Sequence, residues 1–301
     1  MVALLFLISV VVGICSKAFS KLCSNILSQN SVAKYSLVLV INSLVACLFF
    51  GAFGGFRIYV SGITLLYSVI YAAIAAISII SGVIVYRYAS ISNVNIVSSS
   101  CGMICTAVIG WIIFSEKVGT SNIFRLAIML IAIVFVFLDQ RRNEIAITEK
   151  KKEKGNNFYL VLIIAVITAC GCANTIVLKS FAISERVTDE NSFFFFTNVF
   201  LLIASLTVFI VSCICKQGEF RESIKLLRPN KMIAIAGNTI CGNISSIVSV
   251  LIMAQLDVSI YSPISSSLGI IVGVIGSLMF KEKLGVYAYI AAAVACIAVI
   301  I

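Results

Sequence analysis

The chain contains no histidine, two prolines and one tryptophan, and only 11% of its 301 residues are charged. Without histidine, the most common general base and metal ligand is absent, which leaves carboxylates, lysines and cysteines for any chemistry. An ordinary soluble domain is roughly 25% charged. A water-soluble fold could not cover the apolar surface that accompanies so little charge. The composition therefore excludes a soluble globular domain.

Hydrophobic residues make up 61% of the chain, and they form long continuous runs rather than alternating with polar residues. Backbone polar groups inside a bilayer must be satisfied within the protein, and continuous runs indicate helices rather than a barrel. About 20 apolar residues cross the hydrocarbon core. We predict an all-α membrane protein with ten transmembrane helices, over 2–22, 35–53, 62–86, 93–114, 122–138, 158–178, 192–214, 232–256, 263–280 and 285–301.

The two halves of the chain are related in sequence. A polar linker over 140–157 separates 1–139 from 158–301, and each half holds five predicted spans. A shift of 158 positions places Lys21 on Lys179, and a shift of 167 places Gly102 on Gly269. Because each half has an odd number of spans, the second half enters the membrane from the opposite face. This arrangement is the inverted repeat of many transporters.

The basic residues predict an orientation. Seventeen of the 22 Lys and Arg lie in or beside the loops that follow the odd-numbered spans. Because cytoplasmic loops are rich in Lys and Arg, we predict the linker inside the cell and both termini outside. The net charge of +10 is then explained by membrane orientation and requires no nucleic-acid partner.

Most of the eleven cysteines lie inside the predicted spans, where a free cysteine behaves as a small apolar side chain. The pair Cys170 and Cys172 resembles a metal motif. Two positions apart on a helix, however, these side chains point about 200° apart, and no histidine is present to complete a site. We predict no metal site and no cofactor.

Two short segments carry a family resemblance, Phe114-Ser-Glu-Lys-Val-Gly119 and Phe280-Lys-Glu-Lys-Leu-Gly285, one after the fourth span of each half. With the five-plus-five plan, they make the whole chain resemble the drug/metabolite transporter superfamily, in its ten-helix EamA-type branch. Pro263 matches a proline often present in that family, whereas its first-half equivalent is Ile96. The resemblance implies alternating access through a cavity formed by the first, third and fourth spans of each half. It also implies cytoplasmic termini, opposite to the charge distribution.

Polar side chains inside spans are the candidates for binding a solute. An amide that faces lipid has no partner, so each faces either another helix or a watery cavity. Lys17 ends the first span, where it either snorkels to the interface or favours an anionic solute from within the cavity. Pro263 with its polar neighbours could open a helix. The predicted solute-binding residues are Lys17, Tyr71, Asn95, Asn174, Asn238, Tyr261 and Ser262.

Glu116 and Glu282 follow the fourth span of each half and allow two interpretations. They could couple transport to protons, since ionisable groups in membranes often form relays. They could instead stabilise the start of the next helix, where a carboxylate suits the helix dipole.

These features predict a multi-pass secondary transporter of the cell membrane, with the bilayer and a small solute as its partners and a homo-oligomer as a possible assembly. A neutral cavity lined by amides and hydroxyls favours an amino acid or a related polar solute. A membrane channel or structural subunit is the alternative. An embedded enzyme, which we do not expect, would need a nucleophile with its base or a metal site.

Overall fold

The computed structural model is mostly helical in the part of the chain that it describes. It covers residues 2–26, 32–85, 91–117, 157–184, 189–215, 223–279 and 286–300, with short stretches between 119 and 138 and Phe220. No strand occurs among these residues, which confirms the all-helical class. In chain order the helices are α1 (Val2–Ile26), α2 (Val32–Phe53), α3 (Gly62–Val85), α4 (Ile91–Ile113), α5 (Ile123–Ala132), α6 (Asn157–Ala182), α7 (Glu190–Cys215), α8 (Pro229–Met253), α9 (Val258–Met279) and α10 (Val286–Ile300), and a 3-10 helix spans Lys225–Leu227.

Over the residues that the structure describes, each predicted apolar run overlaps one of these helices, and for the run over 122–138 the described helix is Ile123–Ala132. A long apolar run in lipid satisfies its backbone groups by forming a helix. The linker over 140–157 lies outside the described residues, except that Asn157 begins α6.

The start of α9 differs from the prediction, because this helix begins at Val258 rather than near 263. Pro263 lies inside this helix, in its second turn. A proline there removes one backbone donor, and helices tolerate such a loss best close to their N-terminus. Because α9 continues through Pro263 to Met279, the expectation that this proline opens the helix is wrong.

Within the described parts of the chain, four helical segments are long and apolar enough to cross a membrane, namely Ala33–Phe53, Ala165–Ala182, Glu190–Cys215 and Pro229–Met253. The outer surface of α7 is apolar as well. Ile203, Ile210 and Ile214 are 57%, 52% and 73% exposed. A helix that faces water carries polar residues at such positions, so these side chains indicate a lipid-facing surface and support a membrane protein.

The chain packs as two compact units, and each takes residues from both sequence halves. Unit 1 comprises Met1–Ala76 and Ser180–Leu251, and unit 2 comprises Ile77–Lys179 and Ile252–Ile301.

In unit 1, α2 packs against α7 along its length. Gly54, just after α2, approaches Asn191 at the start of α7, and the Cys47 thiol donates to the Phe195 carbonyl oxygen at 4.0 Å. At the other end, Phe209 of α7 packs against the buried cluster at the start of α2. Along this contact the residue numbers decrease on α2 as they increase on α7, so the two helices are antiparallel.

The buried cluster of unit 1 joins α2 to the 3-10 helix and α8. Its members are all apolar and nearly inaccessible: Leu37, Val38, Ile41, Leu226, Ala234 and Ile235. Lipid chains are as apolar as these side chains, so close van der Waals packing rather than exclusion of water holds them together within a bilayer.

The start of α7 is capped by its own side chains. Asp189 precedes the helix, and its Oδ2 accepts hydrogen bonds from the Ser192 backbone N–H at 3.1 Å and the Ser192 hydroxyl at 3.2 Å. The Ser192 hydroxyl oxygen accepts the Tyr59 N–H at 3.0 Å. A carboxylate at this position satisfies donors that the helix leaves free, and Ser192 also fixes the chain that follows α2.

In unit 2, α4 packs against α9, and this pair is antiparallel too. Thr106 and Ser262 form a short contact between their hydroxyl oxygens. Further along α4, Gly110 lies against the Ser259 backbone, and Glu116 beyond the end of α4 binds the first amides of α9. The end of α4 therefore lies beside the start of α9.

Candidate functional site

The solute-binding residues predicted from the sequence divide between the two units. Tyr71 and Asn238 belong to unit 1, and Asn174, Tyr261 and Ser262 belong to unit 2. The side chains of Lys17 and Asn95 lie outside the described residues, so their predicted roles stay predictions.

Asn238 belongs to a polar cluster that joins three helices of unit 1. The Ser16 hydroxyl of α1 donates to Asn238 Oδ1 of α8 at 3.5 Å, the outer limit of a hydrogen bond. On the next residue, the Thr239 hydroxyl lies 2.6 Å from Asn42 Oδ1 of α2. We call Ser16, Asn42, Asn238 and Thr239 the amide cluster.

The Asn42 amide of this cluster can act as donor or acceptor. Thr239 Oγ1 also lies 2.9 Å from the Ile235 carbonyl oxygen, yet a hydroxyl has a single proton to donate. When the Ile235 carbonyl oxygen accepts that proton, the Asn42 side-chain amide can flip and donate an N–H to Thr239 Oγ1. The Asn42 Oδ1 atom then no longer contacts Thr239. The cluster therefore offers both hydrogen-bond donors and acceptors.

Gly237 allows α1 to approach α8 beside Asn238. A Cβ atom at Gly237 would lie 2.7 Å from the Phe19 ring, well inside van der Waals contact. Only glycine permits this approach, because every other residue would push the ring of α1 away. Small residues at helix contacts serve the same purpose throughout membrane proteins.

Tyr71 lies in an aromatic group rather than in the amide cluster. Its ring meets the edge of Phe193 at a centroid distance of 5.5 Å, and Phe193 stacks on Phe181 at 4.2 Å. Phe193 is fully buried. The apolar body of Tyr71 is therefore used in packing within unit 1.

Ser262 is engaged by α4. Its hydroxyl donates to the Met103 carbonyl oxygen at 3.3 Å and also contacts the Thr106 hydroxyl. Thr106 itself lies 2.8 Å from the Gly102 carbonyl oxygen. Ser262 therefore forms hydrogen bonds between α9 and α4, which is one of the two roles considered for polar residues inside spans. Its neighbour Tyr261 is buried as well, with 9% of its surface exposed.

Asn174 of α6 has an unusual environment. Its side-chain Oδ1 is buried and has no hydrogen-bond partner among the described residues. The Asn243 amide nitrogen of α8, in unit 1, is in the same condition. A buried polar atom without a partner costs about 1–3 kcal/mol, so each has a physical reason to accept a partner from a bound molecule or water.

Glu116 stabilises the start of a helix, in line with one of the two interpretations of the sequence. The helix is α9, however, rather than α5, which follows Glu116 in the chain. Its Oε1 accepts the Val258 N–H at 2.6 Å and its Oε2 accepts the Ser259 N–H at 2.8 Å. Both amides belong to the first turn of α9, not to α5. A carboxylate on two free N–H groups at a helix start satisfies donors and complements the dipole.

Lys179 stabilises the other side of the same corner. Its Nζ donates to the Met253 and Leu256 carbonyl oxygens, each at 2.8 Å, and the side chain is buried. Met253 ends α8, where carbonyl groups lack helical partners and the dipole is negative. We call residues 254–257, with Glu116 and Lys179 on either side, the α8–α9 corner.

No set of three His, Cys, Asp or Glu side chains is placed to hold a metal ion among the residues that the structure describes. The amide cluster contributes amides and hydroxyls, which can donate hydrogen bonds to a polar solute and accept them from it.

Sequence reasoning missed Ser16, Asn42, Thr239 and Thr106. Serine and threonine in a helix commonly bond to their own backbone, so their presence in an apolar run gives no signal of a contact with another helix. Asn42 could have been found, since an amide inside the second span carries the same signal as Asn238.

Comparison with known proteins shows the fold only. No family model matches the chain, and no curated protein matches it. Among solved structures, one described only as a crystal structure of a protein aligns with a TM-score of 0.64, covering 99% of this chain and 96% of its own length at 12% sequence identity. A likeness at that identity means that the helical arrangement of this chain occurs in another protein whose sequence has little in common with it.

Proposed function

We propose that this protein is a secondary transporter of the cell membrane that moves a small polar solute, an amino acid or a related compound, by alternating access. The protein would consist of ten transmembrane helices in two inverted five-helix repeats, and it would be related to the drug/metabolite transporter superfamily. Four apolar spans and the apolar outer surface of α7 support its place in a bilayer.

The observation that carries this proposal is the pairing of equivalent helices. α2 and α7 are the second helices of their halves, and α4 and α9 are the fourth. Both pairs pack antiparallel, within unit 1 and unit 2 respectively. Helices at equivalent positions that run in opposite directions are expected of inverted repeats, and such repeats suit alternating access.

The chemistry of the polar residues supports the class of solute. The amide cluster of unit 1 holds two amides and two hydroxyls, and Asn174 in unit 2 offers a buried acceptor without a partner. An amino acid carries an ammonium group that donates hydrogen bonds and a carboxylate that accepts them, so amide oxygens and amide or hydroxyl donors can bind its two groups.

Counterflow into liposomes tests the proposal. Purified full-length protein would be reconstituted, loaded with a mixture of unlabelled amino acids and given one labelled amino acid outside at a time. We expect saturable accumulation of label in the loaded vesicles and little in unloaded ones, because a carrier exchanges solute across the membrane. Protein-free liposomes serve as the control.

Other outcomes would replace the proposal with a named alternative. Ionic conductance that does not saturate would indicate a channel, and a chemically altered solute would indicate an enzyme. A folded protein that exchanges no member of a broad set of polar metabolites would remove the transport function.

A further inference from the structure

The connection between α7 and α8 lies where the chain leaves one apolar helix and enters the next. Helix α7 ends at Cys215 and α8 begins at Pro229, and both helices are long and apolar enough to cross a membrane. A connection between two such helices lies at the surface of the bilayer, where its side chains meet lipid headgroups. The 3-10 helix over Lys225–Leu227 belongs to this connection.

Three side chains hold the connection against unit 1. Leu226 belongs to the buried cluster of unit 1, and Ser223, three positions earlier, is fully buried. The centroid of the Phe220 ring lies 6.3 Å from that of Phe209 on α7. The inner side of the connection is therefore fixed by packing within unit 1.

The outer side of the connection exposes apolar side chains. Phe220, Ile224 and Leu227 are 50%, 44% and 48% exposed. Side chains three positions apart lie on the same side of a 3-10 helix, so Ile224 and Leu227 form one exposed stripe beside the buried one. Apolar side chains at the level of the headgroups can insert into the boundary between headgroups and lipid chains.

Basic residues adjoin this apolar stripe. Arg228 is exposed and directly precedes α8, and Lys231 is half-buried in the first turn of that helix. The Arg228 carbonyl oxygen accepts the N–H groups of Lys231 and Met232, each at 3.0 Å, which fixes the two basic residues close together. The first turn of α8 contains no acidic residue, so these charges are not balanced within that turn.

We propose that this part of the protein binds anionic phospholipids of the surrounding membrane. The α7–α8 surface consists of Phe220, Ile224, Leu227, Arg228 and Lys231. Its apolar side chains insert among the lipid chains, while its two basic side chains bind the lipid phosphate groups. Charge complementarity selects an anionic lipid, because the sequence over 216–231 holds five basic and two acidic residues. A zwitterionic lipid offers the same chains without net negative charge, and a soluble phosphate offers the charge without the chains.

Lipid binding by the purified full-length protein tests this inference. Detergent-solubilised protein would be titrated separately with dioleoyl phosphatidylglycerol, dioleoyl phosphatidylcholine and glycerol phosphate. Native mass spectrometry would measure the bound molecules, and thermal unfolding would measure the apparent Tm. We expect phosphatidylglycerol to bind more tightly than phosphatidylcholine and to raise the apparent Tm further, with little effect of glycerol phosphate.

Variants at the basic residues assign the binding to this surface. Arg228→Gln together with Lys231→Gln should weaken the tightest phosphatidylglycerol binding about 25-fold, and Arg228→Gln alone about fivefold, because each basic side chain near the membrane attracts anionic lipid. The matched control combines Arg57→Gln with Lys117→Gln, which removes two charges from exposed positions that follow α2 and α4. This control should bind phosphatidylglycerol as the native protein does.

The apolar part of the surface has its own variant. Leu227→Ser keeps every charge and removes an exposed apolar side chain, so it should weaken the binding of both lipids. If Leu227→Ser instead separates a dimer of the protein and leaves lipid binding unchanged, the surface is an interface between two copies of the chain and the inference is overturned.

The other results that would overturn the inference concern charge. Native affinity for phosphatidylglycerol in the Arg228 and Lys231 double variant would do so, and so would an equal loss in the control, since that would show a general attraction of the protein's charge. Equal binding of the two lipids would exclude selection of an anionic headgroup. The same rise in apparent Tm with glycerol phosphate would indicate a soluble anion as the ligand. None of these measurements depends on counterflow, so a failure of the transport proposal leaves this inference in place.

Discussion

The Lys179 ammonium group donates a hydrogen bond of 2.8 Å to the carbonyl oxygen of Met253, the last residue of α8. A second bond of the same length goes to Leu256, and Glu116 binds the first amides of α9 beyond the corner. The Lys179 cation thus lies at the negative C-terminal end of α8, and the Glu116 anion lies at the positive N-terminal end of α9. The Lys179 and Glu116 charges are therefore both bound by backbone groups of these two helix ends.

Replacing Lys179 should destabilise the corner. In Lys179→Met, the Met253 and Leu256 carbonyl groups lose their donor. We expect the free energy of unfolding to fall by about 3 kcal/mol, because charge-assisted hydrogen bonds are stronger than neutral ones. Thermal unfolding of detergent-solubilised protein would measure it as a lower apparent Tm. Lys117→Met is the matched control, since Lys117 is exposed. Equal stability of the two variants would refute the role given to Lys179.

Gly110 should tolerate no side chain. A Cβ atom at this position would lie 2.6 Å from Glu116 Oε2 and 3.2 Å from the Ser259 nitrogen, so Gly110→Ala must displace the carboxylate from α9. We expect a clear fall in apparent Tm. Gly102→Ala on the same helix meets nothing within 4 Å and should keep or raise the Tm, because alanine favours a helix by about 1 kcal/mol over glycine. An unchanged Tm in Gly110→Ala would contradict the close approach of α4 and α9.

Glu116→Gln distinguishes a structural carboxylate from a proton-coupling one. A glutamine has one acceptor oxygen for two amides and no charge for the helix dipole, so stability should fall by about 1–2 kcal/mol. Counterflow should retain the pH profile of the native protein. A pH profile that becomes flat in the variant would support proton coupling and argue against the structural interpretation.

The amides should matter for transport more than for folding. We expect Asn174→Leu and Asn238→Leu to reduce counterflow strongly while the protein remains monodisperse with a similar apparent Tm, because leucine has nearly the same volume and no polar group. Asn198→Leu on α7 is the comparison, since its amide bonds to the Phe194 carbonyl of its own helix. Full transport in both variants would remove these residues from the solute site.

Membrane orientation is decided by labelling the linker. We expect a cysteine introduced at Thr148 to react with a membrane-impermeant maleimide only after cells are opened, because loop charges predict a cytoplasmic linker. The native chain, with its own cysteines, gives the background. Labelling in intact cells would reverse the orientation and agree with the family resemblance.

Much of the fold could be predicted from the sequence. Apolar runs located the helices, because a long apolar stretch in lipid must satisfy its own backbone locally. The predicted ninth span begins near 263, whereas α9 begins at Val258, and the Glu116 carboxylate that caps Val258 lies 142 positions away in sequence. The sequence similarity between the halves singles out Glu116 and Lys179, but it does not predict which groups they contact.

The sequence by itself determined which segments are helical, that they are apolar enough for a bilayer, and that polar residues such as Asn174, Asn238 and Ser262 lie within them. Tertiary structure alone decided what those residues contact: Ser262 meets Thr106, Asn238 meets Ser16, and Lys179 meets the end of α8. The physical reason is that helix formation depends on neighbours along the chain. Many of the partners found here, by contrast, are backbone carbonyls and amides, which every residue carries and no side chain identifies.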